Sequence, residues 1–456
     1  MTLEGMCSRI SHVATISRPD NVRTLLSGGR FLAVKRGDGH HGGERAPWFW
    51  GNASLLRRSG GRGWVTRCRL RSRPPTLVWT TPARSPRSLR RRPIVKACLD
   101  GERAADSFGA MTTSSSGERL ALVTGASGWL GSQLVPALVG RGWQVRATGR
   151  RAEPPRWAVP VEYRSVDLVE DPLDELCAGV SHVFHLAGAS STRYSVEQMA
   201  RVNRVGGERL ARSALEAGVE RMVAVSTTAV YGEKVALPSP VVEDAEPSPS
   251  RDYGVTKLAA ERAIAAVAQD GLEVAVVRPV TVYGPGNTKL IASAMLDVAL
   301  ERAAGLDTLL VGADAVGLRM VHLDDVVDAL VHLATVPGAA GRTFNLTSGI
   351  YPDSHQVAGA LAEVFGMGLD VAGEWDGVLA PEQRRQELAA IAAVAPRSGS
   401  IVFTPERLRF LRRPNVNNVL SIDALASVGF RPSRSDLVPA LADTLAWYRR
   451  EGWLPA

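Results

Sequence analysis

The chain has 456 residues, enough for two or three domains, with 54 Lys+Arg against 46 Asp+Glu and a formal net charge of +8. That charge is unevenly spread: residues 1–110 hold 21 basic against 7 acidic residues, leaving 33 against 39 for the rest. The basic excess is a property of the leader, so no nucleic-acid footprint is assigned to the remainder, and no apolar run is long enough to span a bilayer.

Residues 1–115 read as a disordered leader rich in Arg, Gly, Ser and Pro, with Arg84, Arg87, Arg90, Arg91 and Arg92 crowded together. Such a stretch buries too little apolar surface to offset its chain entropy. It lacks the compact apolar segment of a secretory signal. Two readings remain: an organellar transit peptide processed near Ile94-Val95-Lys96-Ala97, or an over-extended start with Met111 as the true initiator, the second being preferred. The expected location is accordingly cytoplasmic, or organellar if the leader is genuine. Of the cysteines Cys7, Cys68, Cys98 and Cys177, only the last lies outside the leader, and neither cysteine nor histidine spacing suggests a metal.

From residue 119 the pattern alternates. Leu120–Val123 is an apolar strand that runs into the turn Thr124-Gly125-Ala126-Ser127-Gly128-Trp129-Leu130-Gly131, and 132–140 has helical periodicity. Strands follow at 144–148, 161–166 and 180–186, a helix at 203–217, a strand at 221–226, a helix at 253–268 and a strand at 272–278. Helices are expected at 290–303, 324–335, 354–365, 384–394 and 435–450, and a strand at 343–346. The expected fold is α/β: a doubly wound parallel Rossmann sheet over 116–285, with a smaller, mostly helical C-terminal substrate lobe over 286–456 and the chain crossing between lobes.

The chemistry-bearing residues sit at the ends of those strands. Gly125 allows a tight turn, Gly128 lets backbone approach a pyrophosphate, and Gly131 lets the helix pack closely, its N-terminus offering N–H groups and a positive dipole end. Ser127, Trp129 and Leu130 complete this loop. The second strand ends in Thr148-Gly149-Arg150-Arg151, which has no carboxylate to bind a ribose 2′-hydroxyl and two guanidiniums able to pair with a 2′-phosphate, so NADP is expected, with NAD as the other possibility. Asp167-Leu168 either flank the adenine or form a plain Asx turn. Tyr253 and Lys257 are one helical turn apart, so phenol and ammonium share a face. Tyr253 needs a depressed pKa to move a proton near neutrality, and Lys257 is expected to supply the depression.

These residues together resemble the extended short-chain dehydrogenase/reductase family, which includes NAD(P)-dependent epimerases, dehydratases and reductases. The resemblance covers about 119–450. It rests on the glycine turn, His185-Leu186-Ala187-Gly188, Asn203, Ser226-Thr227-Thr228-Ala229-Val230-Tyr231-Gly232, Tyr253-x-x-x-Lys257, and Arg278-Pro279 followed by Tyr283-Gly284-Pro285-Gly286. It implies that Leu186, Ala187, Gly188 and Pro279 line the cofactor. It also implies that Thr227 polarises a substrate oxygen, that Asn203 sits in a helix bulge supporting a proton relay, and that a homodimer could form through the 203–217 and 253–268 helices.

Within the family, Thr228-Ala229 replace the Asp-Glu of the 4,6-dehydratases. Thr281 stands where nucleotide-sugar epimerases carry Asn, and Arg319 lies one residue too close to His322. The segment His322-Leu323-Asp324-Asp325-Val326 is similar to the 3β-hydroxysteroid dehydrogenase and dihydroflavonol-reductase-like branches. So is the stretch from Phe403-Thr404-Pro405 through Ser421–Leu425 to Gly429-Phe430-Arg431-Pro432. The sequence reading is therefore an oxidoreductase moving hydride between NADP(H) and a carbonyl or secondary alcohol of a small-molecule substrate. The alternative is a nucleotide-sugar epimerase.

Overall fold

In the computed structural model the described residues are short strands within 16–67, then 119–190, 194–233, 235–372, 381–402, 406–412 and 419–455. The processing site near Ile94, the start at Met111 and the Phe403-Thr404-Pro405 stretch lie outside them. The chain divides into two units, Met1–Ser107 and Phe108–Ala456. In the first, Ile16–Ser17, Val22–Ser27, Arg30–Lys35 and Trp50–Asn52 form an antiparallel sheet, and Ser54–Arg57 pairs antiparallel with Trp64–Arg67.

The second unit begins with β1 (Leu120–Thr124), α1 (Trp129–Val139), β2 (Gln144–Gly149), β3 (Glu162–Ser165) and β4 (His182–His185). A helix then runs from α2 (Val196–Ala200) through a π turn at Arg201–Val205 into α3 (Gly206–Glu216). β5 (Arg221–Val225), α4 (Asp252–Ala268) and β6 (Glu273–Pro279) follow. Next come β7 (Thr281–Tyr283), α5 (Ile291–Ala303), β8 (Thr308–Gly312), β9 (Met320–His322), α6 (Leu323–Thr335) and β10 (Arg342–Leu346). The chain closes with α7 (Ser354–Val364), β11 (Gly368–Ala372), α8 (Pro381–Val394) and α9 (Leu437–Arg450).

Seven strands form one parallel sheet in the order β10-β6-β5-β4-β1-β2-β3. This is the Rossmann-like core, with its order reversing between β1 and β4. A parallel sheet needs cover on both faces, and the side chains of β1 show why it has it. Ala121 and Val123 pack with Leu134, Leu138, Leu330 and Leu333 on one side, while Leu122 joins Val183, Met222, Leu210 and Ile264 on the other. The second half is more helical and has its own core around Ile291, Met295, Leu309, Leu361, Leu441 and Tyr448. The division is not a clean cut in sequence: α6 covers the sheet and β10 extends it, although both follow residue 286. Two short parallel ladders, β7 with β9 and β8 with β11, lie outside the main sheet. Among the described residues no helix is long and apolar enough to cross a membrane.

Candidate active site

The crevice at a reversal of strand order, beyond the carboxyl ends of the strands, is where ligands bind open α/β sheets. Here it lies between β1 and β4, and the glycine turn and Leu186-Ala187-Gly188 meet there. Gly125 has φ +68°, and a Cβ on it would come within 2.7 Å of the Ala187 nitrogen. A Cβ on Gly131 would stand 2.5 Å from the Gly125 carbonyl oxygen and 2.6 Å from Ala126 Cα. The loop is therefore closed up as far as bare backbone allows. Gly128 donates its N–H to the Gly125 oxygen at 2.9 Å and N-caps α1, which has no side-chain cap. The first N–H groups of α1 are thus left to an anion, and the cradle fits a dinucleotide pyrophosphate. The indole of Trp129 donates to the Pro285 oxygen at 2.7 Å and lies against Gly286, tying the loop to the Tyr283–Gly286 segment. Leu186 and Ala187 donate their N–H groups to the Thr124 carbonyl (3.2 Å) and hydroxyl (3.3 Å). His185 shares the Thr124 hydroxyl at 2.8 Å, and burial holds its imidazole pKa down at about 3.

α4 brings in the reacting groups. Its second residue is Tyr253, and the glycine that follows matters: a Cβ on Gly254 would lie 2.6 Å from the Ala229 carbonyl oxygen. Gly254 lets the helix press on the turn 228–231, and that contact puts the Tyr253 phenol in hydrogen-bond reach of Thr227. Thr227 is half-buried and N-caps the turn 228–231, its hydroxyl accepting from the Ala229 N–H at 3.2 Å. The neighbouring Thr228 hydroxyl turns inward to the Pro279 carbonyl (3.4 Å), and the Ser226 hydroxyl is buried. Ser226–Thr228 lie beyond the end of β5 at Val225, so the direction of these hydroxyls is set by the 3-10 turn that Thr227 N-caps rather than by the strand alternation expected. Tyr253 is half-buried as a residue, with its hydroxyl deep.

Lys257 is 7% exposed and donates its ammonium to the Val225 carbonyl at 2.7 Å. Burial pulls its pKa down to about 8, with Glu261 pulling the other way. Burial likewise pushes the Tyr253 phenol up to about 12, against the opposing hydrogen bond with Thr227. The expected depression of Tyr253 by Lys257 is thus corrected: desolvation of the phenol dominates, and the buried ammonium is spent on a backbone carbonyl.

Asn203 lies in the π turn, as the resemblance implied, and is 1% exposed. Its Oδ1 accepts from the Ala189 N–H (2.7 Å), and its Nδ2 donates to the Ala189 oxygen (3.1 Å) and the Thr256 hydroxyl (3.0 Å). It latches the Gly188-Ala189 loop to α4 beside Lys257. Asp167 forms the Asx turn, its Oδ1 accepting the Val169 N–H at 2.8 Å, and Leu168 is buried against Gly206. The sequence did not single out Tyr194. Its hydroxyl accepts from Arg150, and the guanidinium lies 5.5 Å from its ring centroid. Ser127 Oγ would stand 2.6 Å from a Cβ on Gly149, so the end of β2 is crowded as well.

Residues 121–347 match the model of the NAD dependent epimerase/dehydratase family. The UDP-glucose 4-epimerase of Mycolicibacterium smegmatis is 29% identical over 72% of this chain and 98% of its own length. The sterol demethylase protein B of Methylococcus capsulatus is 32% identical over 73% of this chain and 99% of its own. An uncharacterized protein y4nG of Sinorhizobium fredii is 32% identical over 50% of this chain and only 56% of its own length. The solved structure of MoeE5 in complex with UDP-glucuronic acid and NAD is 28% identical, covering 73% of this chain and 99% of that one with a TM-score of 0.54. That structure holds NAD, which overturns the NADP expectation drawn from Arg150 and Arg151. The physical reason is that Arg150 is engaged with Tyr194 rather than presented as a free fork. The comparisons also do not favour the 3β-hydroxysteroid dehydrogenase and dihydroflavonol-reductase-like branch over the rest of the family.

Proposed function

The chain belongs to the NAD dependent epimerase/dehydratase family of hydride-transfer enzymes, and we propose that it is an NAD-dependent epimerase of a nucleotide sugar. The observation that carries this reading is the pairing of Tyr253 with Thr227 beside a glycine cradle, in a chain that spans 98% of a UDP-glucose 4-epimerase and 99% of MoeE5 with about three-quarters of its own length. It replaces the net reductase as the preferred reading.

The nicotinamide, when bound, supplies a hydride acceptor and donor. In the oxidising half, Tyr253 takes the proton of a sugar hydroxyl as phenolate, which requires the bound cofactor and substrate to offset the burial that holds the phenol up at about 12, and Thr227 holds that oxygen as it becomes a carbonyl. In the returning half, Tyr253 gives the proton back after the ring has presented its other face, so substrate and product differ at one carbon with no net redox. Lys257, one helical turn on from Tyr253, keeps a buried ammonium anchored on the Val225 carbonyl, and Asn203 fixes the Gly188-Ala189 loop beside it. Gly125, Gly128, Gly131 and the start of α1 would hold the pyrophosphate.

The test is incubation of the full chain with NAD and UDP-glucose, followed by chromatography of the sugar nucleotides and absorbance of the reduced cofactor. An epimeric sugar nucleotide without accumulating NADH supports the reading. Stoichiometric NADH, or no new sugar nucleotide from UDP-glucose or UDP-glucuronic acid, refutes it.

A further inference from the structure

The mechanism leaves one buried ion pair unused. Glu261, one turn beyond Lys257 on α4, meets Arg278 at the end of β6 through Nε–Oε1 at 3.1 Å and Nη2–Oε2 at 2.7 Å, and the two side chains are 11% and 7% exposed. The remaining nitrogen of Arg278, Nη1, donates to the Tyr231 hydroxyl at 2.8 Å and the Glu243 carbonyl at 3.0 Å. Tyr231 in turn donates to Asn345 Oδ1 at 2.8 Å, and its ring lies 5.0 Å below the guanidinium. Tyr231 closes the turn that starts at Thr227, and Arg278 precedes the proline whose carbonyl holds Thr228. The pair is therefore joined to both halves of the Tyr253–Thr227 constellation.

The charged and titratable groups facing Lys257 are few. On its own helix they are Glu261 and, one turn back, Tyr253. On β4 there is His185, which burial keeps neutral, and β5 offers only the Val225 carbonyl. A bare carboxylate at 261 would draw the ammonium along the helix, away from Val225 and from the phenol. With no carboxylate, Lys257 would lose the one opposite charge that acts on it, and Arg278 would keep only its Tyr231 and Glu243 partners.

We propose that Glu261 and Arg278 are positioning residues that act through Lys257, a balanced pair that keeps a carboxylate one turn away while cancelling most of its pull. The proposal rests on the hydride-transfer reading only for its effect on rate; the charge of Lys257 is a property of the protein itself. A purely architectural pair would leave that charge where it is.

The chain has five lysines, so the NAD-loaded full chain labelled with ¹³C at lysine Cε gives a resolvable spectrum, and Lys257→Met assigns the signal. The expected result is that E261Q lowers the Lys257 titration midpoint by about one unit, since a nearby opposite charge typically shifts a pKa by about 1–3 units and this one is partly neutralised. R278M should raise it, and the E261Q/R278M double variant should return to within about half a unit of the unaltered chain. The alkaline limb of the pH–rate profile should move in step. Should E261Q fail to fold with its unpaired guanidinium, E261D, which keeps the ion pair but withdraws the carboxylate from Lys257, decides: a smaller downward shift supports the proposal. An unmoved midpoint in E261Q, or in E261D where that stands in, overturns it, as does a double variant displaced as far as E261Q. If the midpoints move as stated while no sugar nucleotide is epimerised, the epimerase reading fails and this inference stands.

Discussion

Gly131→Ala tests the cofactor cradle at its tightest point. The added Cβ would lie 2.5 Å from the Gly125 oxygen and 2.6 Å from Ala126 Cα, against the 3.4 Å where ordinary contact begins, so it is about 0.9 Å too close to backbone. Neither neighbour is a flexible side chain, and Gly125 is itself held against Ala187. Relief must come from moving the first turn of α1 off the loop, and such overpacking costs about 1–3 kcal/mol. That movement displaces the N–H groups meant for the pyrophosphate, so most of the strain should reappear in binding, as roughly a 5- to 150-fold weaker Kd for NAD. Titration with NAD, read by the fluorescence of nearby Trp129, measures this. Gly399→Ala serves as the control, because a Cβ there meets nothing within 4 Å and its φ is ordinary. NAD affinity within twofold of the unaltered chain in Gly131→Ala would refute the assignment of this loop as the pyrophosphate cradle.

Tyr253→Phe should abolish turnover with NAD affinity unchanged, and a variant that stays active in a steady-state epimerisation assay would contradict the proton-transfer role. Thr227→Val should lower kcat by roughly 10²-fold or more, as loss of one oxygen-holding group does elsewhere, with a smaller effect on KM. An equal rise in KM with kcat intact would mean that Thr227 only binds. Asn203→Ala removes three hydrogen bonds, two of them to the Ala189 backbone, and should destabilise by about 1–3 kcal/mol in urea unfolding. His185 is buried with its pKa held down at about 3, below its unfolded value near 6.5. The unfolded chain therefore takes up a proton that the folded one refuses, and stability should fall as pH drops from 6.5 towards 3, by about 1.4 kcal/mol per unit at full effect. His185→Gln should flatten that slope in unfolding measurements between pH 7.5 and 5.5, and an unchanged slope would place the acid sensitivity elsewhere.

Much of the sheet was legible because parallel strands buried on both faces are bare apolar runs. Leu120–Val123 and Leu272–Arg278 are each bounded by glycine or proline punctuation. The glycine turn and the Tyr253/Lys257 spacing announced the site for a similar reason: each is local, and each needs its residue types whatever surrounds it. What the sequence hid depends on distant partners. Arg150 looked like a phosphate fork until Tyr194, 44 residues away, took its guanidinium. The ladders β7–β9 and β8–β11 are only three to five residues long and pair strands far apart in the chain, so no periodicity betrays them. The start of α1 was placed late because Gly128 caps it without the Ser, Asp or Asn that usually signals a helix start. The direction of the Tyr253 shift was misjudged because burial of the hydroxyl is a tertiary fact that two residues on one helix face do not carry.

The central claim is that hydride leaves and returns to the same sugar. Supplying UDP-glucose deuterated at the oxidised carbon, mixed with unlabelled substrate, and examining the product by mass spectrometry and NMR tests it directly. The account predicts an epimer that keeps its deuterium at that carbon, with no deuterium in the free cofactor pool and no cross-over into unlabelled molecules. Deuterium accumulating in released NADH, or an epimer that has exchanged it with solvent, would contradict the account.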